Sequence, residues 1–483
     1  MSDQSGKNPP PRRVSGRIMR RAWPRIAAAG FLIGTAGCGL GPHDRARDDL
    51  EIRTPGSWQA ASSGTEGRIS SGWLADFGDR DLSETVDEAL ANNRGLRASA
   101  ARLREAREAT AVARSRARPQ ASAAGNVSRA DGVSRPGETN YDLSLSASWE
   151  IDLWGRLSDQ TRAAEASESA AEEDFRGARL SLAANTAKAW GNLISAEQEL
   201  TLAEETLESF EKNLRIVERT YRGTGEGALD IRFSRTNVSS AARNVEQAEL
   251  NRDQAARSLE ILLGRYPGGG ARLSRDLPVL ADDVPAGIPA DLLDRRPDLA
   301  AARHRLFASA RRADAARKSL LPGASLTAGG GTSSPNLADL LDANRLAGNI
   351  AARFTQVLTD GGALAAEARA ALDRNDAELN DYAQRALEAF REVEAALAAD
   401  RSLAAQEGFL ASELRQATLA ERQAERDYSE GINPNILSVL EAQRRANNAR
   451  AGMIRLQNQR LQNRIDLHLA LGGDFRTRPA GAD

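Results

Sequence analysis

Residues 96–121, LRASAARLREAREATAVARSRARPQA, recur in altered form as residues 299–324, LAAARHRLFASARRADAARKSLLPGA. Leu96 maps to Leu299 and Pro119 to Pro322, a constant offset of 203. Within the stretch, Arg102-Leu103 matches Arg305-Leu306, and Ala113-Arg114 matches Ala316-Arg317. Farther along, Leu263-Gly264 returns as Leu471-Gly472, an offset of 208. The chain is therefore two parallel halves separated by a few residues of insertion, and the fold follows from what one half is.

Each half reads as helix, strand, strand, long helix, helix. In the first, Leu82 to Arg118 is helical in composition and ends at Pro119. From Pro119 to Asp152 the composition turns to Ser, Gly, Asn and Thr, and Tyr141, Leu143, Leu145, Ala147 and Trp149 alternate with Asp142, Ser144, Ser146 and Ser148. A period of two is a strand signal. The segment from Asp131-Gly132 through Pro136-Gly137 supplies the turn. The weaker counterparts in the second half are Ala324–Gly331 and Ile350–Leu358, with Ile350, Ala352 and Phe354 on one face. Strands of about ten residues with one apolar face have the length and pattern of membrane β-strands. Four of them per chain cannot close a barrel without partners. Soluble hairpins on a helical body are the alternative.

Beyond the strands, Leu157 to Tyr221 contains no proline and only two glycines, Gly177 and Gly191. As one helix it extends on the order of 95 Å at about 1.5 Å per residue. Ala189, Leu193, Ala196, Leu200, Ala203, Leu207, Phe210, Leu214, Val217 and Tyr221 alternate spacings of four and three, a coiled-coil seam. A glycine-rich turn, Arg222 to Gly227, returns the chain into Ala228–Gly264, whose seam is interrupted at Ser234 and Arg252. The second half repeats this with Gly361–Tyr428 and Asn435–Leu471, its seam of Leu403, Leu410, Leu414, Ala417, Ala424 and Tyr428 broken by Glu407 and Glu421. The two helices of about 37 residues, laid end to end, match the long helix beside them. A plain coiled coil without a conduit is the simpler reading of the heptads taken alone.

Composition narrows the class. The 483 residues carry 65 basic and 67 acidic side chains, net charge -2, so there is no basic excess for a nucleic-acid partner. Apart from the amino-terminal region, no stretch approaches the roughly 20 apolar residues of a spanning helix, so a membrane crossing requires β-strands. The single cysteine, Cys38, excludes an intrachain disulfide. Arg17, Arg20, Arg21 and Arg25 precede the apolar run Ile26–Ile33, and Thr35-Ala36-Gly37 lead into Cys38. A basic head and short apolar core form an export signal. With small residues before the cysteine it resembles a bacterial lipoprotein signal, although Thr35 stands where leucine is commonest. The resemblance makes Cys38 the acylated first residue, and Gly39 after it fits outer-membrane sorting. Met1 and Met19 both remain open as starts.

Several motifs together carry a wider resemblance: Tyr221-Arg222-Gly223-Thr224-Gly225 followed by Leu229-Asp230, Tyr428-Ser429-Glu430-Gly431 followed by Val439-Leu440-Glu441-Ala442-Gln443, Arg295-Arg296-Pro297-Asp298-Leu299, the helix openings Trp154-Gly155-Arg156 and Asp360-Gly361-Gly362, and the closing Ala470-Leu471-Gly472-Gly473. The chain resembles the outer-membrane efflux protein (TolC/OprM-like) family, in its NodT-type lipoprotein branch, over roughly Leu74 to Phe475. The fold this implies is mainly α with a membrane β-barrel, a trimeric channel-tunnel. Each chain would give four strands to a 12-stranded β-barrel and long coiled-coil helices to a 12-helix α-barrel.

The implied division is 1–37 signal, 38–81 anchor and equatorial segment, 82–290 first repeat (strands about 119–152, helices 157–264, collar linker), 291–473 second repeat (strands about 322–358, helices 361–471) and 474–483 tail. The implied partners are two further copies, a periplasmic adaptor (membrane fusion) protein, an inner-membrane RND-type transporter and outer-membrane lipid. No cofactor is expected apart from the lipid on Cys38.

The resemblance implies that the tip turns with Gly223, Gly225, Gly227 and Gly431 meet the adaptor. Asp230, Asn433, Ser438 and Glu441 are the candidate periplasmic gate, threefold symmetry multiplying each charge. Ser438 stands where the family can have a second acid and Asn433 where it has an arginine, so any latch differs in detail. Glu441 is otherwise a solvated helix-start acid. His43, His304 and His468 lack ligand spacing, and no Gly-rich phosphate loop follows a strand, so an enzyme is not expected. Two other functions stay open on sequence, a duct for type I protein secretion and a periplasmic coiled-coil scaffold. A scaffold has no use for membrane-length strands.

Overall fold

The computed structural model describes residues 55–60, 72–132, 135–224, 227–273, 276–280, 284, 286–432 and 435–475. Cys38, the signal before it, Gly225, Asn433 and most of the carboxy-terminal tail lie outside these residues.

The duplication is visible element by element. In the first half come α1 (Trp73–Asp76), α2 (Arg80–Asn92), α3 (Arg94–Arg116), β1 (Gln120–Gly132), β2 (Arg135–Ile151), α4 (Arg156–Thr224) and α5 (Ala228–Leu262). The second half has α6 (Leu292–Arg295), α7 (Pro297–Lys318), β3 (Gly323–Ser334), β4 (Ala347–Thr355), α8 (Ala363–Ser429) and α9 (Ile436–Ala470). Both long helices open on an acid that caps them. Asp152 accepts from the Leu157 and Ser158 amides, and Asp360 from those of Gly362 and Leu364. A carboxylate there satisfies amides that the first turn leaves free and meets the positive end of the helix dipole.

The helix expected over Leu82–Arg118 is broken in two at Asn93. That residue leaves the helical backbone at ψ 128, and its Oδ1 accepts from the Leu96 amide, restarting the chain as α3. Its Nδ2 donates to the Leu262 carbonyl at the end of α5, 2.9 Å away. So α3 and α5 abut end to end beside α4, 23 and 35 residues against 69. The second half repeats the junction. Arg296, which stands 203 positions after Asn93, donates to the Ala470 carbonyl, which stands 208 after Leu262 (3.4 Å). Two glycines close these junctions in left-handed conformations. A Cβ on Gly264 (φ +72) would lie 2.7 Å from the Asn92 carbonyl oxygen, and one on Gly472 (φ +68) 3.1 Å from the Arg295 carbonyl carbon.

The heptad seam of α4 faces inward, with Leu193, Leu200 and Val217 buried. The two acids that interrupt the α8 seam are paired with α9. Glu407 meets Arg460, and Glu421, itself buried, takes Arg450 through both oxygens at 2.5 and 3.3 Å. Asp400 holds buried Arg464 in the same way at 3.2 Å.

Midway along the rods, Leu82 and Val86 of α2, Ala183, Ala187, Trp190 and Ile194 of α4, and Leu461 and Ile465 of α9 form one apolar cluster with Trp73, Phe77 and Phe475. Flanking segments pack against the helices: the Gly72 amide donates to the Asp474 carbonyl beside this cluster, and the Trp58 indole donates to the Ala286 carbonyl in a second cluster with Leu299, Val393 and Leu471. His468, 3% exposed, stacks on Trp73 at 5.7 Å. Burial, reinforced by the Arg464 charge, pushes its pKa down to about 4. The folded chain thus keeps a neutral imidazole where the unfolded one takes a proton. Its contribution is complete above the unfolded value near 6.5 and is lost as pH falls toward about 4, on the order of 3 kcal/mol at the limit. Thermal midpoints of the detergent-solubilised protein should fall over that range, and His468→Phe, which keeps the stack, should flatten the fall.

The strands form one antiparallel sheet in the order β1-β2-β3-β4, so the β2–β3 ladder joins the halves. The first hairpin is tighter than the expected turn from Asp131 to Gly137. Pairing continues to Gly132↔Arg135, a bulge after Ala130 taking up the odd residue. In the second hairpin β3 runs on to Ser334 past Gly329-Gly330-Gly331, and β4 begins at Ala347 and stops at Thr355, short of Leu358. The glycines belong to the ladder because β2 comes close: a Cβ on Gly331 would lie 2.5 Å from the Leu143 carbonyl oxygen.

Candidate functional site

Two regions at opposite ends of α4 carry the functional reading, the sheet and the helix tips. Residues directly opposite in neighbouring strands share a face. The registers therefore put Val127, Tyr141, Leu143, Leu145, Trp149, Leu326, Ile350 and Phe354 on one side. Ser122, Asn126, Asp142, Ser144, Ser146, Ser148, Glu150, Ser325, Thr327 and Arg353 fall on the other. Within one chain the apolar side is bare: Leu145 is 61% exposed, Ile350 79% and Phe354 72%. Eleven residues of β3, Ala324 to Ser334, rise roughly 24–28 Å at a barrel-like tilt, close to the apolar band of an outer-membrane barrel. Trp149 sits at the helix end of this face and donates its indole N–H to the Ala117 carbonyl at 3.0 Å, the amphipathic placement of an interfacial aromatic. Both outer strands, β1 and β4, lack a second neighbour among the described residues.

At the far end the two helical hairpins meet over a small core of Val217 (α4), Ile436 and Val439 (α9), with Ile231, Ala424, Tyr428 and Leu440 against it. Gly227 (φ 96) caps α5, and Gly431 (φ 74) turns the chain out of α8. Left-handed backbone explains glycine at both positions. Gly223 differs: it lies in the last turn of α4, and a Cβ there would have no neighbour within 4 Å among the described residues.

The candidate gate residues separate. Asp230 lies beside the Gly227 turn, and its charge, after burial, raises the Tyr428 pKa, so it faces the second hairpin. Ser438 sits in the first turn of α9, its amide donating to the Asn435 carbonyl at 3.1 Å. Glu441 is held on its own helix. Arg444 grips it through both oxygens at 2.8 and 2.9 Å and Arg445 adds a bond at 2.7 Å, Arg444 first holding its pKa down to about 2. As a unit these three side chains are net positive rather than acidic.

The sequence profile of the outer membrane efflux proteins matches residues 85–265 and 288–473. This chain belongs to the outer membrane efflux protein family. It is 30% identical over 455 residues to the cation efflux system protein CusC of Escherichia coli O6:H1, covering 91% of this chain and 96% of that protein. To the outer membrane protein OprJ of Pseudomonas aeruginosa it is 32% identical over 431 residues, 87% and 90% of the two chains. Its fold is similar to the crystal structure of the Campylobacter jejuni CmeC outer membrane channel, with TM-score 0.81 and 25% identity over 88% of this chain and 93% of that one.

One feature of this efflux protein's tip was not read from its sequence. Gln443 of α9 is 1% exposed and accepts from Asn213 of α4 at 2.8 Å, while its amide donates to Ser209 of α4 and Glu425 of α8. This buried polar cluster ties the two hairpins together just behind the turns. A lone glutamine among apolar positions was the only signal of it. The arginine pair on Glu441 is likewise absent from the sequence reading, although spacings of three and four along a helix bring such side chains together.

Proposed function

We propose that this efflux-family chain is one third of a trimeric outer-membrane channel-tunnel. It serves as the exit duct of a tripartite efflux pump and passively conducts small molecules to the exterior. The observation that carries the reading is the sheet, with a bare apolar face of membrane height, a polar opposite face and two unpaired edges. Closing the edges with copies of the same chain removes the aggregation hazard. Two copies give eight strands, whose interior side chains fill, whereas three give twelve with room for a polar lumen. The named relatives are an efflux system protein and outer-membrane proteins, which fits the same role. In this reading Cys38 carries the acyl anchor, and the long hairpins of three chains continue the wall as twelve helices. The tip turns around Gly223, Gly225, Gly227 and Gly431 meet a periplasmic adaptor coupled to an RND-type transporter. Substrate choice lies with that transporter, since the duct contributes no chemistry of its own.

At the gate, Asp230 is the acid that acts across the threefold axis, joined by Asn433 and Ser438. Glu441 enters as part of its arginine cluster. Gly223 gives the clean test because none of the described residues crowds it. A deletion strain should be hypersensitive to drugs, dyes or metals and rescued by the wild type. Gly223→Leu should still form outer-membrane trimers yet fail to rescue. Full rescue by Gly223→Leu would remove the adaptor contact from this turn, and absence of wild-type trimers would remove the channel.

A further inference from the structure

At the outer end of the sheet, the β3–β4 connection forms two short 3-10 turns, Leu337–Leu341 and Ala343–Arg345. Three leucines in this connection are bare: Leu337 is 64% exposed, Leu341 87% and Leu346 66%. Surface loops usually expose polar residues, so such a run calls for a partner. Where the loop sits identifies it. Thr332 and Ser334 are opposite Leu143 and Tyr141, so both point to the apolar side of the sheet. Loop groups occupy both hydroxyls. Thr332 Oγ1 donates to the Leu340 carbonyl at 2.7 Å, and Ser334 Oγ donates to Asp339 at 2.8 Å while accepting from the Asn336 amide at 3.1 Å. Ser334 is 2% exposed as a result. Arg345 pins Asp339 from the other side at 3.2 Å. Leu346 returns to the same face beside Gly330, 3.9 Å from where a Cβ there would lie. The loop is thus folded over the apolar face rather than over the polar one.

Resting on the reading that this face meets lipid, we infer that Leu337–Leu346 is a lipid-contacting collar. It seals the two hydroxyls at the outer end of the wall and sets Leu337, Leu341 and Leu346 into the acyl boundary of the outer leaflet. Hydroxyls facing hydrocarbon are costly unless hydrogen-bonded. The loop supplies those bonds from its own backbone and carboxylate, then restores an apolar surface above them. Tyr141 beside Ser334 marks the same level, where interfacial aromatics gather.

The test places nitroxide labels on Leu341→Cys, Leu337→Cys, Ile350→Cys and Ser146→Cys in the full protein reconstituted into phospholipid vesicles. Collision with oxygen reports lipid, and collision with a water-soluble nickel chelate reports water. Leu341 and Leu337 are expected to favour oxygen over chelate at a ratio comparable to that of Ile350, and Ser146 to show the reverse. Chelate-dominated labels on the leucines, with Ile350 still in lipid, overturn the collar. Labels on the leucines shielded from both reagents also overturn it, because the loop would then be covered by protein. An aqueous Ile350 overturns the barrel reading itself and the collar with it.

Discussion

Ile350→Arg is expected to eliminate outer-membrane trimers, whereas Ala351→Arg, one position along β4, leaves them assembled. Ile350 lies opposite Ala328, which lies opposite Ala147, halfway up the ladders that run from Ile151 to Tyr141. An arginine at the midplane of a barrel's lipid face costs about 2–4 kcal/mol per chain, and three symmetric copies bring this to the order of 6–12 kcal/mol. That is comparable to the whole stability of a typical domain. Ala351 belongs with Thr327 on the polar face, where an arginine remains in water. Fractionation followed by crosslinking separates the two variants. Equal assembly of both would mean the bare face does not meet lipid.

The second large effect belongs to the rod junction. Gly264→Ala should destabilise the protein by about 2–4 kcal/mol, combining left-handed backbone strain for a residue with a Cβ and disruption of the half-buried junction hydrogen bond. The added methyl cannot stay 2.7 Å from the Asn92 carbonyl oxygen, so the chain must shift next to Asn93, which bonds Leu262. Gly472→Ala is expected to cost less, its nearest atoms standing at 3.1 Å. Gly408, helical with open space around it, is the control. Gly408→Ala should stabilise by about 0.5–1 kcal/mol. Thermal midpoints in detergent give the order, and a Gly264 variant as stable as wild type would show that the junction is not tight.

The repeat and the seam of α4 were legible in the sequence because each is a regularity, one of offset and one of period. Much of what escaped was set by residues far away in the chain. Asn93 looks like an ordinary member of a helical run until Leu262 comes to rest against it. The strand expected over Ala324–Gly331 includes the three glycines but not its continuation to Ser334, which follows from pairing with Tyr141 to Leu143 of β2. Glu407 and Glu421 broke a heptad on paper, while their arginines lie in the next helix at positions no periodicity marks. The tip glycines were read as a group, yet left-handed backbone requires glycine at Gly227 and Gly431 and not at Gly223. Glu441 was assigned to the gate without the two arginines that follow it.

Those α8–α9 pairs have a mechanical consequence. Asp400–Arg464, Glu407–Arg460 and Glu421–Arg450 lie at successive levels along one hairpin. Slipping one helix past the other by a turn would separate all three sets of partly buried charges at once. Parting such pairs is far costlier than leaving them joined. The three pairs therefore oppose shear, so α8 and α9 are expected to move together as one lever whose fulcrum is the aromatic cluster around Trp73 and His468.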